Sequence, residues 1–444
     1  MQGIEQRQAD LQQLVSDLLN EARRQGASAA EAGVSSDAGL SLNVRMGEPE
    51  TIEYTRDNGL GVTVYFGQRK GSASTSDLSP EAVSETVRAA CNFARYTSED
   101  DCAGLADAAL MAREIPDLDL YHPWDLSVDE AIEQATECET AARERDPRIV
   151  NSEGASLNTH NGLHVYGNTH GFIGGYPSSR HSLSCAVVGK EGESMQRDYW
   201  YSLSRIGELL EAPEQVGRMA AERTLARLGA RKIATQEAPV LFQADVAVGL
   251  LRSFVGAIRG SALYRKSSFL LDQLDRPVFP EFVRIHEEPR LSRGLGSAPF
   301  DSEGVATQDR DFVTDGILSS YVLDSYSARK LGMQTTRNGG GVRNLRINSG
   351  ELDRAGLLQE MHTGLLVTEL MGQGVNNVTG DYSRGAAGFW VENGEIQYPV
   401  EEITIAGNLK GMFMGLQEVA SDIETRTSVQ TGSWLIERMM IAGE

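Results

Sequence analysis

The hydrophobic period changes twice between residues 10 and 96, and that change constrains the fold more than any other feature. Leu11, Leu14, Val15, Leu18, Leu19 and Ala22 recur at helical spacing over 10–25, with Gly26 placed as a C-cap. The period then drops to two: Leu40, Leu42 and Val44, then Ile52 and Tyr54, then Val62, Val64 and Phe66. Gly47-Glu48-Pro49 and Asp57-Asn58-Gly59 read as turns between half-buried strands. Ser79 and Pro80 open a second helix, as N-cap and first helical residue, running to about Tyr96. A chain patterned this way is neither all-helical nor all-strand, so the expected class is α+β.

The same mixture recurs downstream. Ser127 and Glu130 form a capping box for a helix over about 128–145, stopped by Pro147. Strand-like segments follow near 155–175, 182–190 and 197–206, and Pro213 begins a helix that closes at Gly229. The stretch ARKIATQEAP, 230–239, reads as a linker. Beyond it the chain is glycine-rich, with one clear helix, a loop-heavy middle and short β segments with turns such as Glu392-Asn393-Gly394. The expected organisation is an α+β unit over 1–115, a second over 116–229, the linker, and a mostly β domain over 240–444. With 444 residues, several cores are expected.

Charge narrows the function. The net charge is −22, from 63 acidic and 41 basic residues. Binding to nucleic acid needs a basic footprint that releases phosphate counterions, so no nucleic-acid partner is expected. Cys91, Cys102, Cys138 and Cys185 form no CxxC pair, which argues against a disulfide framework or a zinc knuckle. The N-terminal stretch is charged throughout, unlike a signal peptide, and no apolar run is long enough to span a membrane. The expected location is the cytoplasm.

Several residue clusters suggest chemistry. His160, His164, His170 and His181 lie close in sequence. Gly162, Gly167, Gly171, Gly174 and Gly175 make a helix there improbable, and strand residues four apart stand roughly 13 Å from each other. That is too far to share one metal, so polar strand faces are expected. TRNGGGVRN, 336–344, offers Arg337 and Arg343 among glycines but lacks the Lys-Ser/Thr of a P-loop, so it reads as a flexible loop. Asp301, Glu303, Asp309, Asp311 and Asp315 match no calcium loop and read as solvated turns. No nucleophile elbow is present.

The helix in VGLLRSFVGAIRGSALYRKSSFL, 248–270, is the most pointed feature. Leu251, Phe254, Val255, Ile258 and Ala262 form an apolar stripe beside the small residues Ser253, Gly256, Ala257 and Gly260. A row of small side chains admits close approach by a backbone or a ligand. This segment, with NSEGASLN (151–158), FDSEGVATQDRDFVTDGILSSYVLDSYSARKLG (300–332) and MGQGVNNVTGDYSRGAAGFWVENGEI (371–396), resembles the TldD/PmbA family of metallopeptidases, also called modulators of DNA gyrase. The resemblance covers nearly the whole chain, with the segments in family order.

That resemblance implies two paired branches. The TldD branch carries HExxxH on a helix and a C-terminal cysteine as a further zinc ligand. The PmbA (TldE) branch, which this chain resembles, lacks them. Arg252 takes the first histidine's place, Ser253 the glutamate's and Ala257 the second histidine's. The segment matching the cysteine region reads ETRTSVQTGSW, 424–434, and no cysteine follows Cys185. An arginine is always cationic, a serine hydroxyl is no general base near neutrality, and alanine has no ligand atom. No metal or catalytic residue is therefore expected on this chain, and zinc is expected on a TldD-type partner. Histidines five apart lie about 140° apart on a regular helix, so an irregularity is expected near Gly256.

The implied function is a non-catalytic subunit that helps a TldD-type peptidase receive unfolded peptides. A strand edge suits that task because the main chain supplies the affinity. The expected peptide contacts are Met371, Gly372, Gln373, Gly374, Asp381, Tyr382, Ser383 and Arg384, which read otherwise as ordinary hairpins. The shared scaffold also permits a homodimer of the isolated chain. Two further readings stay open here: a regulatory protein-binding module of the gyrase-modulator kind, and a stand-alone peptidase working through the histidine cluster.

Overall fold

A computed structural model describes residues 2–443 of the chain. The N-terminal half contains α1 (Gln2–Arg24), β1 (Ala29–Arg45), β2 (Glu48–Phe66), β3 (Arg69–Thr75), α2 (Pro80–Tyr96), α3 (Val128–Arg143), β4 (Ile149–Asn168), β5 (Ile173–Glu191), β6 (Ser194–Ser204) and α4 (Pro213–Ala226). Its strands form one antiparallel sheet in the order β3-β2-β1-β4-β5-β6. The class is α+β, as patterned in the sequence.

The two expected N-terminal units share this sheet, because β1 pairs with β4 from Glu31↔Asn168 to Val44↔Ala155. Alternation along β1 explains the covering of one face. Ala30, Ala32 and Val34 pack under α1 and α2, and Leu40, Leu42 and Val44 pack under α3 and α4. All six point to one side. Glu31, Gly33, Ser35, Asp37, Gly39, Ser41 and Asn43 point to the other.

Local signals act as the sequence reading anticipates at several places. Ser79 caps α2 with Pro80 following, and Ser127 and Glu130 complete a capping box on α3. Three expectations are corrected. Asp57-Asn58-Gly59 is not a turn: these residues lie inside β2, paired with Asp37, Ser36 and Ser35, because β1 extends past them. The segment near 155–175 is not one strand: Asn168 and Ile173 bound a turn between β4 and β5. The linker is ordered from Gln236 onward, where it pairs as a strand.

The C-terminal half runs β7 (Gln236–Phe242), α5 (Ala244–Ala257), α6 (Gly260–Tyr264), β8 (Ile285–Glu287), β9 (Arg310–Thr314), β10 (Ile317–Leu318), α7 (Ser325–Lys330), β11 (Leu345–Ile347), α8 (Arg354–Met361), β12 (Gly364–Met371), β13 (Asp381–Glu392), β14 (Glu395–Asn408), α9 (Leu409–Met414), β15 (Leu416–Val419), β16 (Val429–Gln430) and β17 (Trp434–Ala442). One sheet has the order β14-β13-β12-β7-β17-β15, and β14 also pairs with β17, so five strands close into a ring. A second sheet has the order β10-β9-β8-β11-β16. Asn393 and Gly394 both take positive φ between β13 and β14, the two-residue turn expected there.

Helix α5 is anchored in the largest core. Phe254 meets Phe279 and Phe413 edge-on, Phe279 stacks on Phe413 at 4.8 Å, and Trp434 closes the cluster.

Helices α3 and α4 approach so closely that only glycine fits at position 217. A Cβ there would sit well inside contact distance of the Cys138 carbonyl oxygen. Helix propensity alone predicts that Gly217→Ala stabilises the protein by about 1 kcal/mol. We expect the clash to win, with a net loss of about 2 kcal/mol read as a lower urea midpoint at unchanged slope.

Candidate functional site

The geometry around α5 follows from its two faces. Leu250, Leu251, Phe254, Val255 and Ala257 are buried. Arg252 and Arg259 are exposed, and Asp245, Gly249, Ser253 and Gly256 are half-exposed beside them. A Cβ added at Gly249 or Gly256 would meet no atom within 4 Å. Gly249 and Gly256 thus face open space, whereas Ala257 and Gly260 of the small-residue stripe are buried.

The three positions matched to the metal motif have settled, non-ligating surroundings. Arg252 donates from Nη2 to Thr427 Oγ1 at 3.0 Å, bridging to the C-terminal segment 424–434. Ser253 donates from Oγ to the Gly249 carbonyl at 2.9 Å, back along its own helix. Ala257 is fully buried. Among the described residues, no group of three or more His, Cys, Asp and Glu side chains is placed to hold a metal ion. The donor set at α5 does not fit zinc.

The helix is irregular near Gly256, by a break after Ala257 and not by a π-bulge. α5 ends at Ala257, Ile258 still bonds back to Phe254, and Arg259 is extended with φ −73° and ψ 133° before α6 begins. Arg259 pairs in a β-bridge with Val322, which replaces the next helical turn.

The expected peptide segments form one hairpin. Residues 365–367 of β12 pair with both β7 and β13, whereas Glu369, Leu370 and Met371 pair with β13 alone. One edge of β12 is therefore open only at its end. Asp381, Tyr382, Ser383 and Arg384 have no open edge: they pair with β14, and on the other side Ser383 donates to the Gly374 carbonyl at 2.7 Å. Met371, Gly372, Gln373, Gly374, Asp381 and Ser383 are exposed. Tyr382 is buried, its hydroxyl has no partner, and burial pushes its pKa up to about 12. Arg384 is half-buried, with Nε unpartnered. Gly374 serves the turn itself, because a side chain there would collide with the Ser383 carbonyl.

The histidines are dispersed. His160 Nε2 lies 3.3 Å from Asp37, His170 Nε2 reaches the Ala106 carbonyl at 3.1 Å, and His181 Nε2 reaches the His122 carbonyl at 2.9 Å. Burial lowers the pKa of both His164 and His181. Two other sequence expectations fail. The loop 336–344 is pinned: Asn338 Nδ2 donates to both Glu287 carboxylate oxygens at 3.0 and 2.8 Å, and Gly339 N donates to Asp301 at 2.9 Å. Asp301 is no solvated turn, since it is buried and also accepts from the backbone of Glu303 and Val305.

A cavity of about 380 Å³ between the sheet and the C-terminal half escaped the sequence reading. Glu31 on the uncovered face of β1 accepts from the hydroxyls of Tyr65 at 2.9 Å and Tyr166 at 2.8 Å. Across the cavity Glu303 accepts from the Ser325 backbone and hydroxyl at 2.9 and 2.7 Å. Burial, then the neighbouring Asp301, raises the Glu303 pKa to about 7. The signal available in sequence was Glu31 at a period-two position opposite the apolar face. Its meeting with Glu303 is set by tertiary packing.

A helix-covered sheet is followed by a closed ring of strands and a second, smaller sheet. Family models match the chain in succession: PmbA/TldA metallopeptidase domain 1 over residues 30–94, the central domain over 121–228 and the C-terminal domain over 235–443. The chain belongs to the PmbA/TldD metallopeptidase family. It is 55% identical over 415 residues to the protein called metalloprotease PmbA in Escherichia coli O157:H7, covering 94% of this chain and 92% of that one. It is 52% identical over 443 residues to a metalloprotease PmbA homolog of Haemophilus influenzae, covering 99% and 98%. A Bacteroides thetaiotaomicron crystal structure, provisionally described as a modulator of DNA gyrase, matches with a TM-score of 0.92 at 29% identity, covering 97% and 98%.

The raised pKa of Glu303 fixes a pH dependence. The folded state holds this proton more tightly than the unfolded chain, whose reference is 4.5. Its contribution is fully present below about 4.5 and is lost as pH rises to about 7. At about 1.4 kcal/mol per tenfold change in proton affinity, the loss approaches about 3 kcal/mol. Glu303→Gln should remove it, so the variant's urea midpoint should fall less than the wild type's between pH 4.5 and 7.5.

Proposed function

We propose that this chain is the non-catalytic subunit of a TldD/TldE-type heteromeric zinc metallopeptidase. The observation that carries this reading is the state of α5. The helix is anchored through Phe254 and broken after Ala257, while its three motif positions offer a cation, a hydroxyl turned to its own helix and a methyl group. A zinc hydrolase needs neutral imidazoles or a thiolate on the metal and a carboxylate to take the proton of water. In this reading a TldD-type partner supplies them.

The chain's own task is to hold unfolded peptide. The open end of β12 at Glu369–Met371 offers main-chain donors and acceptors to an extended segment. Met371, Gly372 and Gln373 lie beside that edge with Asp381 and Ser383 on the neighbouring strand, and Tyr382, Arg384 and Gly374 shape the hairpin behind them. The location we infer is the cytoplasm: all four cysteines are free, and three of them are buried, which suits a reducing compartment. Among the described residues no helix is long and apolar enough to cross a membrane.

Zinc content and cleavage of an unfolded polypeptide, measured for this chain alone and mixed with a TldD-type partner, test the proposal. The chain alone should hold no stoichiometric zinc and cleave nothing, and the mixture should co-elute and cleave. Stoichiometric zinc with cleavage by the chain alone would overturn it. Failure to co-elute would favour the regulatory-module reading.

A further inference from the structure

A second cavity, of about 530 Å³, opens where the outer part of the N-terminal sheet meets the loop 295–298. Tyr176, Ser178 and Arg180 alternate along β5, so all three point to the sheet face that the helices leave uncovered. His160 pairs with Arg180 on β4, Arg205 follows β6, and Arg343 enters from the C-terminal half. No Asp or Glu lines this cavity. In a chain with 63 acidic and 41 basic residues, three arginines around one space are a local inversion of charge, and His160 beside them faces Asp37 at 3.3 Å.

The arginines are also short of counter-charges. Among the described residues none of the three makes an ion pair. Arg205 is buried, and its guanidinium is held only by the carbonyls of Ser179, Gly294 and Leu295 at 2.9–3.1 Å. Burial, then the proximity of Arg180, pulls its pKa down to about 10. Arg343 spends two N–H groups on the Gly341 and Gly339 carbonyls, while its charge also favours ionised Glu287 and Asp301 behind it. Arg180 is exposed, and among the described residues neither its guanidinium nor the hydroxyls of Ser178 and Tyr176 have a hydrogen-bond partner. The cavity therefore presents unspent donors on one wall and a buried cation beneath them. A buried cation without an anion is costly, and carbonyl dipoles offset only part of that cost.

We propose that this cavity binds a small ligand through an oxyanion, a carboxylate or phosphate group held by Arg180. The guanidinium fork matches two oxygens of such a group, and the Ser178 and Tyr176 hydroxyls donate to the remainder. Arg205 and Arg343 supply the attractive field without having to move. The volume suits a small metabolite or a chain terminus. The site stands on its own observations and does not require the subunit reading.

Calorimetric titration of the full chain in low-salt buffer, with inorganic phosphate and with succinate as probes, tests the proposal. Saturable one-to-one binding of at least one probe is expected. Arg180→Gln should weaken it by about ten- to a hundredfold, the worth of one charged hydrogen-bonded contact. Arg218→Gln, an equal charge change on the surface of α4, should leave it unchanged. Arg180 is exposed and unbonded, so its variant should melt like the wild type. Phosphate alone binding would identify a phosphoryl ligand, and succinate alone a carboxylate. No saturable binding of either probe to the wild type, or equal weakening in both variants, would overturn the proposal.

Discussion

The alternation of side chains along β1 is the constraint from which the rest of the structure follows. One face of the strand carries Ala30, Ala32, Val34, Leu40, Leu42 and Val44, and burying it draws four helices to the same side of the sheet. The other face carries Glu31, Gly33, Ser35 and Asp37, which no apolar helix could cover without stranding polar groups. That face is left for the C-terminal half, and both cavities form along it. A one-residue slip of β1 would exchange the two faces and put carboxylates under the helices.

Where the halves meet, Phe300 packs edge-on against Phe172 and Tyr176, and two carboxylates are buried on the C-terminal side. Glu287 and Asp301 take backbone and amide donors from the glycine-rich loop and hold it without a regular element. Burial raises the pKa of both, and the hydrogen bonds oppose that rise. Removing either carboxylate would leave several donors unsatisfied, which costs more than one ordinary hydrogen bond contributes. Arg426 ties the same junction differently, stacked over Trp200 and Tyr201 at 3.9 and 4.4 Å and paired with Glu424.

Much of the fold was legible because it is written locally. Ser79, Ser127 with Glu130, Pro213 and Asn393-Gly394 each announce an element end within a few residues, and the structure places the ends there. Asp57-Asn58-Gly59 shows the limit of such reading: turn-forming residues lie inside a strand when a 17-residue neighbour continues past them. That Arg252, Ser253 and Ala257 offer no metal ligand and no general base was visible from residue type. The contact between Arg252 and Thr427, the shared cavity of Glu31 and Glu303, and the gathering of Arg180, Arg205 and Arg343 join residues far apart in sequence. Periodicity carries no information about those meetings. The pairing of Asp381–Arg384 with β14 on one side and with the 374–376 turn on the other is likewise invisible to periodicity.

The break after α5 has a consequence for descent. The chain leaves the helix because Arg259 and Gly260 are captured by Val322 through main-chain pairing, and because Gly260 has no side chain to collide with Ser327. Neither device involves the side chains at 252 or 253, which lie toward solvent. The shape of the helix end is thus insured separately from whatever those positions do. A lineage could lose a metal centre here one substitution at a time and still inherit an intact scaffold, free to be kept for a different duty.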